Sequence, residues 1–265
     1  MKLATQDRSF FGESFKEKLS KVKELGFDGL EIGGDVLINR FEEIKKAVKT
    51  TGVPISSICG GYRGWIGAFE EEERKLAISD IGEILRYTAE IGATGVIAPA
   101  AFGIFSRKLP PFTPPRTAEE DREVLLDSLE KINVLAKEAG SILFLEPLNR
   151  YEDHMINRLE QAKSLIEQGG FSSVQVLADF FHMSMEEANI AKSIMEVNHL
   201  IGHVHLADSN RLMPGKGHID FDSGFQALQK MDFSGFMAIE CEISGDPEKS
   251  YLESAAFLKS NIIKG

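Results

Sequence analysis

The chain has 265 residues, 43% of them hydrophobic, and a formal net charge of -11. That length suits one large α/β barrel or two small domains, and that apolar content is enough for a sizeable core, which excludes intrinsic disorder. The acidic balance argues against a non-specific nucleic-acid binder, because phosphates must be met by positive charge.

Two cysteines, Cys59 and Cys241, stand without CxxC spacing, so neither a disulfide framework nor a thiolate zinc site is expected. The opening MKLATQDRSFF lacks the apolar core of a signal peptide, and no run approaches 18 apolar residues. The expectation is a cytoplasmic protein with no membrane and no nucleic-acid partner.

Short apolar runs alternate with longer amphipathic ones. In chain order the predicted strand–helix pairs are Lys2–Gln6 with Ser14–Leu25, Gly29–Gly33 with Arg40–Thr51, and Pro54–Cys59 with Glu71–Ile91. Gly95–Ala100 with Ala118–Ala139, Ile142–Leu148 with Arg158–Gln168, and Val174–Asp179 with Glu186–Val197 follow. Ile201–Asp208 with Phe221–Lys230 and Phe236–Ile243 with Pro247–Ile263 complete the set. Helical segments repeat apolar residues at spacings of three and four, as in Leu125, Leu129, Ile132 and Leu135. Gly26, Gly52, Gly92, Gly140 and Gly169 each follow a helical run, where a C′ glycine belongs.

Strict alternation implies a parallel sheet, and eight units at this length imply a single (β/α)8 TIM barrel domain spanning residues 1–265. The competing open sheet would carry a glycine-rich phosphate turn after its first strand, and TQDRSFFGES has no GxGxxG. The proline-rich segment Leu109–Pro115 reads as a stiff rim loop after the fourth strand.

Chemistry in such a barrel sits at the C-terminal ends of the strands. Strand 5 (ILFLEPLNRYE) delivers Glu146, strand 6 (VQVLADFFHM) delivers Asp179, strand 7 (HVHLAD) delivers His203 and His205, and strand 8 (GFMAIECEI) delivers Glu240 and then Glu242. Alternation puts both histidines on one face and Val204 and Leu206 on the other. Each residue alone has a plain structural explanation: a rim charge, a core histidine, or Asp179 as a helix cap. Together, three carboxylates and an imidazole converging at a barrel mouth repel unless a cation joins them. A donor set of carboxylate oxygens with one imidazole and no thiolate favours one divalent ion, Mn²⁺ first, then Mg²⁺ or Co²⁺, with Zn²⁺ less suited. His203, one layer deeper than His205, is cast as an outer partner that orients a ligand or touches substrate.

Other polar residues follow the same strands: Glu152 and Arg211 in loops, His182 beyond Asp179, and Glu31 ending strand 2, to bind substrate or brace the mouth. Cys59, Tyr62, Trp65 and Phe102 are candidates for an apolar pocket wall. The loop MPGKGHIDFDSGF (residues 213–225) is a loose match to a phosphate cradle through backbone N–H groups and Lys216; a plain rim turn with Asp220 or Asp222 at a helix start is the favoured reading.

The stretches EPLNRYE, DFFHM, HVHLADSNR and AIECE resemble the sugar isomerase/epimerase superfamily with the xylose isomerase-like TIM barrel, and most closely its D-tagatose/D-psicose 3-epimerase-type ketose epimerases. The resemblance implies metal ligands at Glu146, Asp179, His205 and Glu240, with Glu146 and Glu240 doubling as the acid/base pair. It implies substrate contacts at Glu152, His182 and Arg211, a small-molecule sugar or sugar phosphate as substrate, and a homodimer or homotetramer. Those epimerases often carry Gly-Glu where this chain has Ala207-Asp208.

The implied reaction is ketose 3-epimerisation through a cis-enediolate, the metal acting as Lewis acid and the two glutamates moving protons at opposite faces. Alternatives within the superfamily are an aldose–ketose or hydroxypyruvate-type isomerase and a keto-inositol dehydratase. Hydroxypyruvate isomerases tend to place a glutamine where His205 stands. More remote are an endonuclease IV-like DNA repair enzyme, which needs additional histidines that SICGGY and IAPAAF lack, and a non-catalytic sugar-binding barrel.

Overall fold

The computed structural model describes residues 1–103 and 113–263. Eight parallel strands close into a barrel in chain order: β1 (Lys2–Gln6), β2 (Gly29–Ile32), β3 (Ile55–Cys59), β4 (Val96–Pro99), β5 (Leu143–Glu146), β6 (Val174–Asp179), β7 (Ile201–Leu206) and β8 (Phe236–Ile239), with β8 beside β1. The helices outside are α1 (Phe15–Glu24), α2 (Gly34–Asn39), α3 (Phe41–Thr51), α4 (Glu71–Ile91), α5 (Ala118–Ala139), α6 (Leu159–Gly169), α7 (Phe180–Glu186), α8 (Ile190–Val197), α9 (Phe221–Lys230) and α10 (Pro247–Ile263). This is the (β/α)8 barrel that alternation implied. Among the described residues no helix is long and apolar enough to cross a membrane.

Strand faces sort as the alternation requires. Val204 and Leu206 of β7 join the large apolar cluster between barrel and helices, with Val176 and Ala178 of β6 and Leu143 and Leu145 of β5. The opposite faces look inward: Ile97, Phe144 and Leu177 form one small interior cluster, and Ala4, Phe236 and Ala238 another. Each fully buried Leu or Ile contributes about 1.5–3 kcal/mol, so a one-residue slip in any strand would exchange these faces and forfeit several such terms. The observed register sets Asp179 opposite His205, Glu146 opposite Pro99 and Gln6 opposite Glu31, which gathers the polar strand ends at one mouth.

Helix ends follow local chemistry. Ser14 and Thr117 open α1 and α5 as reciprocal capping boxes with Glu17 and Glu120. Gly52, Gly92 and Gly140 close α3, α4 and α5 in the left-handed conformation. Gly169 departs from expectation. It is the last residue of α6, and Gly170 takes the left-handed turn at φ 61°. A Cβ on Gly169 would collide with the Phe171 ring, so space rather than backbone freedom requires glycine there.

Two further differences bear on the site. Strands 2, 4, 5, 7 and 8 end earlier than expected, because pairing stops at the mouth while following residues such as Leu148 and Ile243 remain buried or half-buried. Glu240 therefore follows β8 rather than lying in it. The predicted helix Glu186–Val197 begins at Ile190, capped by Asn189, while the separate short α7 starts directly after Asp179. The helix α2 lies in a stretch that reads as loop. Most of the proline-rich segment Leu109–Pro115 lies outside the described residues.

Candidate metal centre at the barrel mouth

Glu146, Asp179, His205 and Glu240 come together at the ends of β5 to β8, each offering a ligand atom, with all four atoms within 4.8 Å of one another. His205 Nδ1 lies 3.4 Å from Glu146 Oε1 and 3.1 Å from Glu240 Oε2. His205 is fully buried, and both its Nδ1 and Glu146 Oε1 lack a hydrogen-bond partner among the described residues. Leaving such groups unsatisfied costs about 1–3 kcal/mol each. Two orphaned lone-pair donors aimed at one point, with two further carboxylates, fit a divalent cation.

Asp179 serves two purposes. Its Oδ1 accepts from the Phe181 backbone N–H at 2.7 Å, capping α7, while Oδ2 turns to the site. The cap reading and the ligand reading of this residue are thus compatible.

Behind His205 stands Glu31, buried at the end of β2. It accepts from His205 Nε2 at 3.1 Å, from His203 Nε2 at 3.1 Å and from Ser57 Oγ at 2.7 Å. A carboxylate only accepts, so the Nε2 proton of His205 belongs to this bond and Nδ1 is left as the open donor atom. Burial opposes ionisation of Glu31, but the charge on His205 and the hydrogen bonds from both histidines outweigh it and hold the carboxyl well below its usual range. Glu31, expected to bind substrate or brace the mouth, bonds both β7 histidines. His203 bonds Glu31 and stacks on Phe144 with ring centroids 5.4 Å apart. Glu31, His203 and His205 also cluster closely enough for a metal, but their facing atoms already bond one another.

The charges at the mouth are balanced from above. Burial disfavours the His205 imidazolium, yet Glu31, Glu240 and Glu146 around it favour positive charge here and raise its pKa well above the ordinary value, so a cation at Nδ1 would take the place of a proton. Burial raises the Glu146 carboxyl, with His205 offsetting this only in part. Burial acts against Glu240 too, but His205 and Arg211 prevail and lower it. Arg211 donates from Nη1 to Asp179 Oδ2 at 3.0 Å and from Nη2 to Glu240 Oε2 at 2.6 Å, its guanidinium over the Phe181 ring. Its backbone sits at φ 59°, a conformation costing a non-glycine residue about 1–3 kcal/mol. It is held there by its N–H on Asp208 O and by the Glu242 N–H on its own carbonyl. Glu242 itself is exposed on the rim.

His182 accepts at Nδ1 from the Asn149 backbone N–H at 3.1 Å, which leaves Nε2 carrying the proton 3.6 Å from Asp179 Oδ2 and 4.0 Å from Glu152 Oε2. Glu152 is tied to Asn149 Nδ2 at 3.0 Å. Asn149, unassigned from sequence, thus orients two of the expected substrate contacts. Tyr62, Trp65 and Phe102 form a continuous aromatic row, with successive centroids 5.9 and 6.1 Å apart, and Phe102 is exposed.

The loop at 213–225 does not present a free phosphate cradle. Asp208 fills it: Oδ1 accepts from Ser209 N at 2.8 Å and Ile219 N at 3.1 Å, and Oδ2 from Gly215 N at 2.8 Å. Lys216 pairs with Glu253 and Asp220 caps α9, as the rim-turn reading expects.

A family model described as the xylose isomerase-like TIM barrel matches residues 19–261. A 3-dehydro-D-guloside 4-epimerase of Escherichia coli (strain K12) is 44% identical over 98% of this chain and 100% of its own. A D-psicose 3-epimerase of Enterocloster bolteae is 28% identical over 85% of this chain and 76% of its own. The crystal structure of an E. coli 3-keto-D-glucoside 4-epimerase in its apo form matches with a TM-score of 0.95 at 44% identity, covering 98% of this chain and 99% of that one. The chain belongs to the xylose isomerase-like TIM barrel family. Within it, the protein is an isomerase-class enzyme, a sugar epimerase.

Proposed function

We propose that this enzyme inverts C4 of a 3-keto-hexoside, with free-ketose 3-epimerisation as the second reading. The observation that carries the proposal is the pair Glu146 and Glu240, brought from the ends of strands three apart in the ring to 3.4 and 3.1 Å from His205 Nδ1. The C4 choice rests on the full-length similarity to a 3-dehydro-D-guloside 4-epimerase. The second reading has the D-psicose 3-epimerase similarity behind it; the chemistry is the same, but the ketone stands at C2 of a free sugar and C3 reacts.

Glu146, Asp179, His205 Nδ1 and Glu240 would hold one divalent ion, for which the oxygen-rich donor set favours Mn²⁺. Such an ion supplies Lewis acidity that acidifies the C–H beside the ketone and offsets negative charge gathering on oxygen. One glutamate removes the C4 proton, leaving a planar enediolate across C3 and C4. The other delivers a proton to the opposite face of C4, so configuration inverts with no net oxidation. His182 Nε2, Glu152 and Arg211 stand where ring hydroxyls can be bound. Because Asp208 occupies the loop donors a phosphate would need, the reading is of a non-phosphorylated sugar.

The test is a panel of 3-keto-glycosides and free ketoses incubated with Mn²⁺-loaded enzyme in D₂O and followed by NMR. Deuterium at C4 of an inverted 3-keto-glycoside is the expected result. Deuterium at C3 of an inverted free ketose would move the assignment to the second reading. Deuterium at C1 with aldose formation would replace epimerisation by isomerisation.

A further inference from the structure

Gln6 ends β1 between two carboxylates. Pairing of β1 sets Gln6 opposite Glu31 on one side, and Thr5 opposite Ile239 on the other brings Glu240 alongside. The single nitrogen Nε2 donates to Glu240 Oε1 at 2.8 Å and to Glu31 Oε1 at 3.2 Å. An amide nitrogen carries two hydrogens, so each carboxylate receives one.

The consequence for Glu240 is a division of labour between its oxygens. Oε1 is held by Gln6, while Oε2 faces His205 Nδ1 at 3.1 Å and Arg211 Nη2 at 2.6 Å. Glu146 is the last residue of β5, and Glu240 lies just beyond β8 with its backbone N–H still on Leu206 O at 3.2 Å, so what Gln6 adds is a hold on the carboxylate itself.

We propose that Gln6 is a positioning residue for the epimerisation: its amide fixes the rotation of the Glu240 carboxylate, keeping Oε2 toward the metal-binding side and one Oε1 lone pair open for a proton. The proposal rests on the epimerase reading for its catalytic half. The residue type follows from the surroundings. A glutamate here would add a third negative charge beside Glu31 and Glu240. An apolar side chain would leave Oε1 without its donor and Glu240 held by Arg211 at Oε2 alone, so both oxygens could turn to one cation. Misplacement of a reacting group by about 1 Å costs on the order of 10²-fold in rate.

The experiment compares wild type with Gln6→Met, which removes the donors at similar length, and with Gln6→Asn, which keeps an amide too short to reach both carboxylates. Folding is verified by thermal melting of each variant. The first arm needs no substrate: Mn²⁺ titration should show binding weakened about tenfold in Gln6→Met, within the range for partners that orient ligands. The second arm measures deuterium exchange and inversion separately, starting from each epimer. Loosening Glu240 alone should cut kcat about 10–100-fold with KM within about twofold, and should raise the exchange-to-inversion ratio from the epimer whose proton Glu146 takes while lowering it from the other, because both epimers share one intermediate that the two glutamates compete to protonate. A general loss of structure would lower exchange and inversion together. Unaltered Mn²⁺ affinity in a folded variant, or ratios that shift in the same direction from both epimers, overturns the assignment. If wild type inverts no sugar tested, that result counts against the epimerase reading alone, and the titration still decides the role of Gln6.

Discussion

Glu31 accepts a hydrogen bond from His205 Nε2 at 3.1 Å, on the side of the imidazole opposite the nitrogen that meets Glu146 and Glu240. This one contact fixes which ring nitrogen is free and which way it points. Glu31→Gln keeps the shape but removes the charge that orders both histidines. We expect Mn²⁺ affinity to fall about 10–100-fold, read by calorimetric titration. Unchanged affinity would mean that the ring needs no such brace.

His205 supplies the only nitrogen of the proposed ligand set. His205→Ala should abolish tight metal binding while the barrel remains folded. In wild type, Mn²⁺ at about 100 times its Kd should stabilise the fold by roughly 2.7 kcal/mol, and a chelator should reverse the shift in melting temperature. The variant should show no shift. A metal-dependent rise in the His205→Ala melting temperature would place the ion elsewhere.

Asp208 holds the loop after β7 through the backbone N–H groups of Ser209, Gly215 and Ile219. Hydrogen bonds to a charged group are worth about 1.5–3 kcal/mol each. Asp208→Ala should therefore speed amide hydrogen exchange across residues 209–219 and loosen Arg211, whose N–H bonds the Asp208 carbonyl. Exchange confined to its wild-type rates would contradict this account of the loop.

Asp153 gives a pH signature separate from the metal centre. Burial raises its carboxyl from 3.8 to about 6, with backbone donors at Met155 and Ile156 offsetting part of the effect. An acid raised in the folded state favours folding below the unfolded value, so stability is lost as pH rises from about 4 to about 6 and the deficit is complete above that. Two pKa units amount to about 3 kcal/mol. Asp153→Asn should flatten this part of the stability–pH curve relative to wild type in urea unfolding at pH 4 to 8. Parallel curves would show that Asp153 titrates normally.

The barrel was legible because β/α alternation is written in periodicity, and Glu146, Asp179 and His205 because each ends an apolar run at a known end of a known fold. Their partners were harder to read. Glu31 stands out in sequence as the end of strand 2, but its bonds to the β7 histidines show only once β2 faces β7 across the barrel. Gln6 is an unremarked amide until β1 is seen to join Glu31 to Glu240. The separation of Glu240 from Glu242 depends on β8 ending at Ile239, which an apolar run continuing to Ile243 conceals. The 213–225 loop resembled an anion site because it is one; the anion is the chain's own Asp208, brought in by a turn that sequence spacing does not specify.

The central claim is that one divalent ion sits among Glu146, Asp179, His205 Nδ1 and Glu240. Anomalous diffraction from crystals grown in excess Mn²⁺ tests it most directly. The account predicts a single strong peak among those four side chains, with Glu31 still bonded to His205 Nε2. A peak on the Glu31–His203–His205 side, or density for water alone among the four, would contradict it.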